Sequence, residues 1–531
     1  MESNSDLSLL NKYNTPAVLH FPGMKGQIDI KSRNQAVVPV PGAGFGPTNP
    51  TVTVTTPTND AFIDPKTFYI KLGVSFSGTT FSGVPIATTG GNSANLLTSS
   101  FLQPSGVVAN VAQPYNTAIA NAPLTHAFIG TNVYLSQAGA SAFFNTAILS
   151  TIDGTKIEEI PINLGTVSAS QNMTVNPDYT QVLANTEKFI IGKSYLSNSV
   201  VGNFMGYPIN ADGTTGGPGA LTTYAANADG TSNIQPVNVG WQIPSLGQIY
   251  YFDVNLPFGL LNQVSAIPNK LLGGLKFDFT MAQPKNLFIF NPVVAGAMAE
   301  LGIANMSYTV ASMELRYDSI KVSDSYIQAM SAHIMGDPLA GIPGAGLQIP
   351  YTTFKINNTH LTGLSAGSQT PVYVSGAANS VQAVNMFHIL TTDYNNQAYD
   401  GLVAFKNNGL GNFQFIIGSV QFPNKPINTL MTNGYQVDTA DAYIEMLKTK
   451  GVYKSYIGGT LLDYNPLLNR HIYGYSLERT DEAMSGVTVA GKSWSTEVQY
   501  ASASADCQFY TLLRVDSIIN INPDGSLRVL V

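Results

Sequence analysis

The sequence predicts an all-β protein built from two copies of one domain, with a few short helices and long inserted loops. Only 11% of the 531 residues are charged, whereas Gly and Pro number 49 and 30 and Tyr and Phe number 26 and 25. That mixture is typical of short strands joined by polar, uncharged loops. Strand-like runs recur along the chain, and one six-residue pattern occurs twice. The hydrophobic share of 44% is too high for a disordered chain.

The strand-like runs alternate apolar and polar residues, as half-buried strands do. They cover residues 67–76, 248–254, 274–280, 308–322, 412–422, 471–477, 493–500 and 508–521. These runs predict an all-β protein rather than one rich in helices.

Two segments have helical periodicity. Residues 438–450 begin at a capping residue, Asp438, and carry Tyr443, Met446 and Leu447 on one face. Residues 324–335 carry Ile327, Met330 and Ile334 on one face, and a glycine and a proline follow. A weaker helical pattern covers residues 179–188.

The repeated pattern is LRYDSI at residues 315–320 and LRVDSI at residues 513–518, which differ at one position. A second echo precedes it, KSYL at 193–196 and KSYI at 454–457. The same order in both halves indicates a duplicated domain. The interval between the two patterns is longer in the first copy, which predicts a loop insertion at about 198–240; a similar stretch covers about 78–123.

These observations divide the chain into four parts. Residues 1–26 form an N-terminal arm, 27–323 the first domain with both long loops, 324–346 a helix and a Gly/Pro-rich linker, and 347–531 the second domain.

Motifs that carry chemistry are weak. The six histidines, His20, His126, His333, His360, His388 and His471, are far apart in sequence, so structural or surface roles are expected. The GxSxG string at 363–367 lacks the strand–serine–helix context of a nucleophile elbow. A turn and an exposed strand explain Asp153, Glu158 and Glu159 better than a cation site does. We predict no catalytic, cofactor-binding or metal-binding residues, and no enzyme.

Charge and cysteine content restrict the partners. The net charge is −7 and no cluster of Lys and Arg occurs, which argues against extensive direct binding of nucleic acid. The one cysteine, Cys507, is expected to be a small buried apolar residue. The polar N-terminus does not read as a secretory signal, and no apolar run is long enough to span a membrane.

With these features, the sequence resembles the double jelly-roll major capsid proteins of the adenovirus-hexon lineage, especially those of virophages and Polinton-like viruses. The resemblance lies in MELRYDSIKVSD at 313–324 before a helix, PNKPI at 423–427, the loop and strand at 473–491, and the closing segment 509–531. It implies two tandem eight-stranded jelly rolls, which are β-sandwiches that protect most strand edges.

The resemblance also implies a function and partners. The chain would form homotrimeric, pseudo-hexameric capsomers of an icosahedral dsDNA-virus shell, made and assembled inside the host cell. Its partners would be neighbouring capsomers, penton and minor capsid proteins, with room for an internal membrane beneath the shell. No cofactor is implied. The alternatives are a secreted β-sandwich adhesin or carbohydrate-binding protein, an RNA-virus capsid protein with one shell jelly roll, and, ranked last, a β-solenoid enzyme.

Overall fold

The computed structural model describes most of both halves of the chain. The described residues are 30–78, 133–172, 182–189, 241–262, 266–290, 306–337, 342–394, 400–429, 431–449, 471–478 and 486–531, except for 43, 184, 242, 244, 245, 377, 433, 434, 437 and 438. The predicted loop at 198–240, nearly all of the loop at 78–123, and both KSY segments lie outside them.

The described part of the first half contains ten strands. They are β1 (Ile30–Pro39), β2 (Thr51–Thr55), β3 (Phe62–Ser77), β4 (Val133–Leu135), β5 (Phe144–Thr151), β6 (Lys156–Ile160), β7 (Ile249–Val254), β8 (Leu275–Met281), β9 (Phe288–Phe290) and β10 (Ser307–Val322). Short helical segments follow in the order 3-10 helix Gly139–Phe143, α1 (Leu164–Asn172), 3-10 helix Gly259–Asn262 and α2 (Pro284–Leu287).

The second half begins after helix α3 (Asp324–Met335) and a short pair, β11 (Gly336–Asp337) and β12 (Ile342–Pro343). Its strands are β13 (Leu347–Leu361), β14 (Gln369–Tyr373), β15 (Val381–Leu390), β16 (Leu410–Ile417), β17 (Val420–Asn428), β18 (Met431–Thr432), β19 (Tyr435–Gln436), β20 (Tyr473–Ser476), β21 (Trp494–Tyr500), β22 (Cys507–Ile521) and β23 (Leu527–Leu530). Helices α4 (Thr391–Tyr394) and α5 (Thr439–Thr449) lie between them.

Each half forms two antiparallel four-stranded sheets with the same strand order. In the first half the sheets are β1-β10-β3-β7 and β2-β8-β5-β6; in the second they are β13-β22-β15-β20, extended by β23, and β14-β21-β16-β17. The eight strands of each half can be numbered first to eighth along the chain. In both halves one sheet then has the strand order first–eighth–third–sixth, and the other has the order second–seventh–fourth–fifth. Two such sheets packed face to face make a jelly roll. The predicted fold class, two tandem jelly rolls, is confirmed.

The two copies of LRxDSI lie on equivalent strands. The first belongs to β10 and the second to β22, the eighth strand of each roll. Leu315 is opposite Ile70 of the third strand, and Leu513 is opposite Val384 of the third strand in its own roll. Both leucines are fully buried. The prediction of a duplicated fold, made from this short repeat, is therefore confirmed at the level of topology.

Aromatic side chains fill the space between the sheets of each roll. In the first roll, Phe68 of β3 stacks on Tyr317 at 4.9 Å and meets Phe277 of the opposite sheet at 5.4 Å. In the second, Phe413 of β16 meets Tyr473 of the opposite sheet at 5.8 Å. Such rings bury large apolar areas, so each roll has an interior of its own.

One strand of the second roll is buried on both faces. Nine of the ten residues of β15 are buried. On one side Phe387 meets Phe405 of a following loop at 4.4 Å, and the Thr449 hydroxyl of α5 donates to Asn385. This sheet is therefore an inner layer, covered outside by a helix and by the segment that contacts the first roll.

The helix predictions are confirmed where they can be compared. Helix α3 covers 324–335 as predicted, and the Ser323 side chain caps it by accepting from the Tyr326 amide. Helix α5 covers Thr439–Thr449, inside the predicted 438–450. Of the weaker prediction at 179–188, four described residues are helical. Helix α1 was not predicted: its residues from Leu164 to Ser170 are all buried, so no polar face marks it.

Because the eighth strands of the two rolls are equivalent, matching substitutions in them are expected to lower the free energy of unfolding by similar amounts. Leu315→Ala and Leu513→Ala each remove a fully buried side chain between two sheets, so each is expected to lower the free energy of unfolding by about 2–5 kcal/mol. Thr309→Ala, on an exposed position of β10, is the control and should change it by less than about 0.5 kcal/mol. Urea unfolding measures all three. A small effect at one leucine only would contradict the equivalence.

Candidate functional site at the junction of the two rolls

No described group of side chains resembles a catalytic or metal centre. Across the described ranges there is no cluster of three or more His, Cys, Asp or Glu residues able to hold a metal ion. The GxSxG string at 363–367 lies in the loop between β13 and β14, where the Gly363 amide donates to the Asp506 carboxylate at 2.6 Å. It lacks the strand-to-helix turn of a nucleophile elbow. None of the helices in the described part is long and apolar enough to cross a membrane.

The most unusual chemistry lies where the two rolls meet. Buried carboxylates are rare, because a charge removed from water needs good hydrogen bonds to replace its hydration. Glu158 and Asp400 are 5% and 3% exposed, and each accepts hydrogen bonds from the other roll. These two carboxylates and their donors define the junction site.

Glu158 projects from β6, an edge strand of the first roll, towards β13 of the second. Its Oε2 accepts from the Gly259 amide at 2.8 Å and from the Thr353 hydroxyl at 2.6 Å, and its Oε1 accepts from the Leu260 amide at 2.6 Å. The amides belong to the first turn of a 3-10 helix, where backbone N–H groups have no partner within the helix. One carboxylate thus ties that helix to a strand of the second roll.

Asp400 makes the reciprocal contact from the second roll. Its carboxylate accepts from the Ser136 hydroxyl at 2.9 Å and from the Gln137 amide at 2.6 Å, both in the first roll. The Leu402 amide of its own loop donates at 3.3 Å. Each roll therefore contains one buried acid that accepts hydrogen bonds from the other roll.

Close backbone packing completes the junction. A Cβ placed on Gly259 would lie 1.7 Å from the Thr352 carbonyl oxygen, so only glycine allows the two rolls to approach this closely. The Tyr351 hydroxyl donates to the Ile157 carbonyl at 3.1 Å, and the Asn286 amide group donates to the Tyr394 hydroxyl at 3.2 Å. Both bonds cross from one roll to the other.

Another buried carboxylate, that of Glu187, provides an internal comparison. Glu187 is 1% exposed and accepts from the backbone and side-chain amides of Asn255, each at 2.8 Å, within the first roll. It has the burial of the junction acids but does not cross the junction.

Burial dominates the electrostatics of all three acids. Desolvation raises the pKa of Glu158 and of Glu187 to about 7 and that of Asp400 to about 6, and the hydrogen bonds to each carboxylate oppose the rise. The donors to the two junction acids are uncharged, so no Coulombic attraction from them offsets the loss of hydration.

The second roll buries two histidines in its interior. His388 and His471 are both fully buried, and both pack against the ring of Tyr473. His388 Nε2 lies 3.2 Å from the Tyr500 hydroxyl. Burial lowers the pKa of each imidazole to about 3, and the proximity of His388 lowers that of His471 further. Both rings are therefore neutral in the folded protein at physiological pH.

One expectation from the sequence is wrong. Glu158 was expected on an exposed strand, yet it is buried, because the second roll covers the edge of β6. Its neighbours fit the expectation: Asp153 lies in a turn, and Glu159 pairs with Lys156. Cys507 is 1% exposed, as predicted. His333 and His360 are exposed, whereas His20 and His126 lie outside the described residues.

The junction joins two rolls of equal topology into one body, an architecture of the double jelly-roll class. No protein-family model matches the sequence. No curated protein matches it either.

Two solved structures are similar across nearly the whole length. A chain of the Sputnik virophage cryo-EM structure superposes with a TM-score of 0.52 at 13% identity and covers 95% of this chain and 89% of its own. The Faustovirus major capsid protein superposes with a TM-score of 0.50 at 10% identity and covers 92% and 90%. The resemblance to double jelly-roll capsid proteins is thus confirmed for the fold.

Proposed function

We propose that this chain is the major capsid protein of an icosahedral dsDNA virus and that it forms homotrimeric, pseudo-hexameric capsomers. The observation that carries the proposal is the junction: two rolls of equal topology are held side by side by reciprocal buried hydrogen bonds. A subunit of a viral shell must keep one shape when its neighbours press against it. Tandem binding modules, by contrast, usually meet through smaller, more mobile interfaces. The fold shared with the Faustovirus protein supports the same role.

The outer surface supports assembly. Several large apolar side chains are exposed on the described part of the chain, among them Tyr373 at 72%, Tyr251 at 60% and Val420 at 52%. Burying such surface between subunits contributes roughly 25 cal/mol for each Å² of apolar area removed from water. With so few charges on the surface, association through these side chains is opposed by little charge repulsion.

Prolines on the sheet edges restrict how subunits can associate. The edge strands β1, β13 and β14 contain Pro39, Pro350 and Pro371, and β17 contains Pro423 and Pro426. Proline cannot donate to a neighbouring strand, so it discourages the open-ended addition of further strands. We infer that subunits meet through side chains and loops, which produces closed assemblies rather than fibres.

The finer assignments belong to the same proposal. The first roll and its loops comprise residues 27–323, the linker 324–346 and the second roll 347–531, with residues 1–26 as an arm. The loop at 198–240 projects from the outer face of the capsomer and contacts neighbouring subunits. Partners are the other capsomers, penton and minor capsid proteins and, where the virus has one, an internal membrane. The chain does not bind nucleic acid extensively and acts in the virion after assembly inside the host cell.

Sedimentation under dilution tests the proposal. The purified full-length chain is expected to sediment as a trimer down to micromolar concentration, because a mostly apolar interface would leave no stable isolated protomer. Nuclease and reducing agents should leave the trimer intact, since the chain has one cysteine and no basic cluster. A soluble, folded monomer at micromolar concentration would contradict the proposal and favour the β-sandwich adhesin.

A further inference from the structure

We propose that the junction of the two rolls is a proton-controlled clamp. With Glu158 and Asp400 protonated, their protons directed at the Thr353 and Ser136 hydroxyls, the rolls are held together most firmly; loss of these protons near neutral pH weakens the hold and raises the fraction of molecules in which the junction is open. The position of the two acids, the donors they face and the access of solvent to Glu158 support this proposal. It does not depend on the proposed role in a viral shell.

Glu158 and Asp400 lie where the two rolls meet. Each acid accepts a hydrogen bond from the opposite roll, Glu158 from Thr353 and Asp400 from Ser136 and Gln137. Opening the junction would break these bonds and hydrate both carboxylates. The charge state of these acids therefore bears directly on whether the two rolls stay together, whereas the charge of Glu187 bears only on the first roll.

Burial disfavours the charged form of Glu158 more strongly than its three hydrogen bonds favour it. On its own strand, the charges of Lys156 and Glu159 pair with each other. On β13, Tyr351 and the half-buried Lys355 face the site. Burial lowers the pKa of Lys355, whereas burial and, to a smaller extent, proximity to Glu158 raise the pKa of Tyr351. The 3-10 helix Gly259–Asn262 has no titratable side chain.

Asp400 is in a similar environment. The first roll presents a hydroxyl and a backbone amide to it, neither of which carries a charge. In its own roll, Asp393 and Lys406 flank the Asp400 loop in sequence and pair with each other, with Oδ2 and Nζ 2.5 Å apart. Burial is thus the main influence on Asp400 as well.

Protons and water can reach the Glu158 side of the clamp. A cleft of about 440 Å³ opens between β6 and β13, and Glu158 and Thr353 are among the residues that line it. Polar side chains, including Asn357 and Ser375, form part of its wall. Because Glu158 lines a partly polar, open cleft, it can exchange protons without unfolding of either roll.

The direction of the pH effect follows from linkage. In the closed junction the pKa of Glu158 is about 7, against an ordinary 4.5, and that of Asp400 about 6, against 3.8. An acid whose pKa is raised in the closed state stabilises that state fully below its ordinary pKa, and this stabilisation is lost as the pH rises through the raised value. Between pH 5.5 and pH 8 the opening equilibrium should increase roughly 30-fold from Glu158 alone.

Amide hydrogen exchange of the full-length chain, corrected for the intrinsic pH dependence of exchange, measures the opening. Amides in 257–262 and 350–356 are expected to lose protection between pH 5.5 and pH 8. In the double variant Glu158→Gln, Asp400→Asn the acids are replaced by neutral amides. That variant should open more readily at pH 5.5, because an amide NH₂ faces a backbone donor, but its corrected opening should not change with pH.

Glu187→Gln is the matched control. It removes an acid of the same burial and pKa that does not cross the junction, so the pH response of 350–356 should stay as in the wild type. Equal opening of the wild-type junction at the two pH values would overturn the proposal. So would a pH response that persists in the double variant, or one that is abolished by Glu187→Gln.

Discussion

Acidification from pH 7 to pH 4 is expected to destabilise the second roll relative to the first by several kcal/mol. His388 and His471 are fully buried in the second roll, and burial lowers the pKa of each from 6.5 to about 3. The unfolded chain takes up protons on both rings below pH 6.5, whereas the folded roll does not. The stability contributed by the neutral rings is therefore complete above pH 6.5 and is lost as the pH falls towards 3, at about 3 kcal/mol for each ring by pH 4.

The first roll responds in the opposite direction. The raised pKa of Glu187 means that this acid destabilises the roll when it is ionised, so acidification stabilises the first roll. Unfolding through the coupled junction would average the two effects, so the two rolls are followed separately in a Gly259→Ala background, in which the rolls are expected to unfold independently. The chain has two tryptophans, Trp241 in the first roll and Trp494 in the second. Trp241→Phe leaves a fluorescence probe of the second roll, and Trp494→Phe leaves one of the first.

Substitution separates the contribution of the two buried histidine rings from the other effects of acid on the stability of the second roll. In the Gly259→Ala, Trp241→Phe background, His388→Leu with His471→Leu should remove most of the loss of stability of the second roll between pH 7 and pH 4. His333→Gln with His360→Gln, at exposed positions, should retain the full loss. If the leucine variant loses as much stability on acidification as the parent, the buried histidines are not its cause.

Gly259→Ala is expected to uncouple the two rolls. The new Cβ would lie 1.7 Å from the Thr352 carbonyl oxygen of the second roll, so the junction must shift, and the bonds from Gly259 and Thr353 to Glu158 shift with it. Overpacking of this kind costs about 1–3 kcal/mol, and disturbance of a buried carboxylate adds to it. Gly259 does not have a positive φ, so alanine adds no local backbone strain.

Urea unfolding with the two single-tryptophan backgrounds measures the uncoupling. In the wild-type junction the two probes should report one transition, because the rolls share buried contacts; in Gly259→Ala the transitions should separate. Asn262→Ala, at an exposed position of the same 3-10 helix, is the control and should leave them together. Coincident transitions with unchanged midpoints in Gly259→Ala would show that this contact does not couple the rolls.

The fold was largely predictable because its signals are local. Alternating burial along strands such as β8 and β21 follows alternating polarity in the sequence. The repeat LRxDSI identified the eighth strand of both rolls, since a duplicated strand keeps both its pattern and its place in the order. Helix α1 was missed because its residues from Leu164 to Ser170 are all buried, which erases the polar face that a helical pattern needs.

The junction site could not be predicted, because it depends on contacts far apart in sequence. Glu158 lies in KIEEI, which reads as an exposed edge strand, and only the docking of β13 against β6 buries it. Asp400 lies in a loop, and its donors are more than 250 residues earlier in the chain. Gly259 is one of 49 glycines. Nothing in the local sequence distinguishes it from a turn residue.

Electron cryo-microscopy of the purified, full-length protein tests the central claim most directly. If the chain is a shell subunit, the images should show trimers of hexagonal outline in which each subunit contributes two jelly rolls in the fixed arrangement of the junction, alone or joined into closed shells. Monomers, or trimers in which the two rolls of one chain vary in their relative orientation at pH 5.5, where the clamp is closed, would contradict the account.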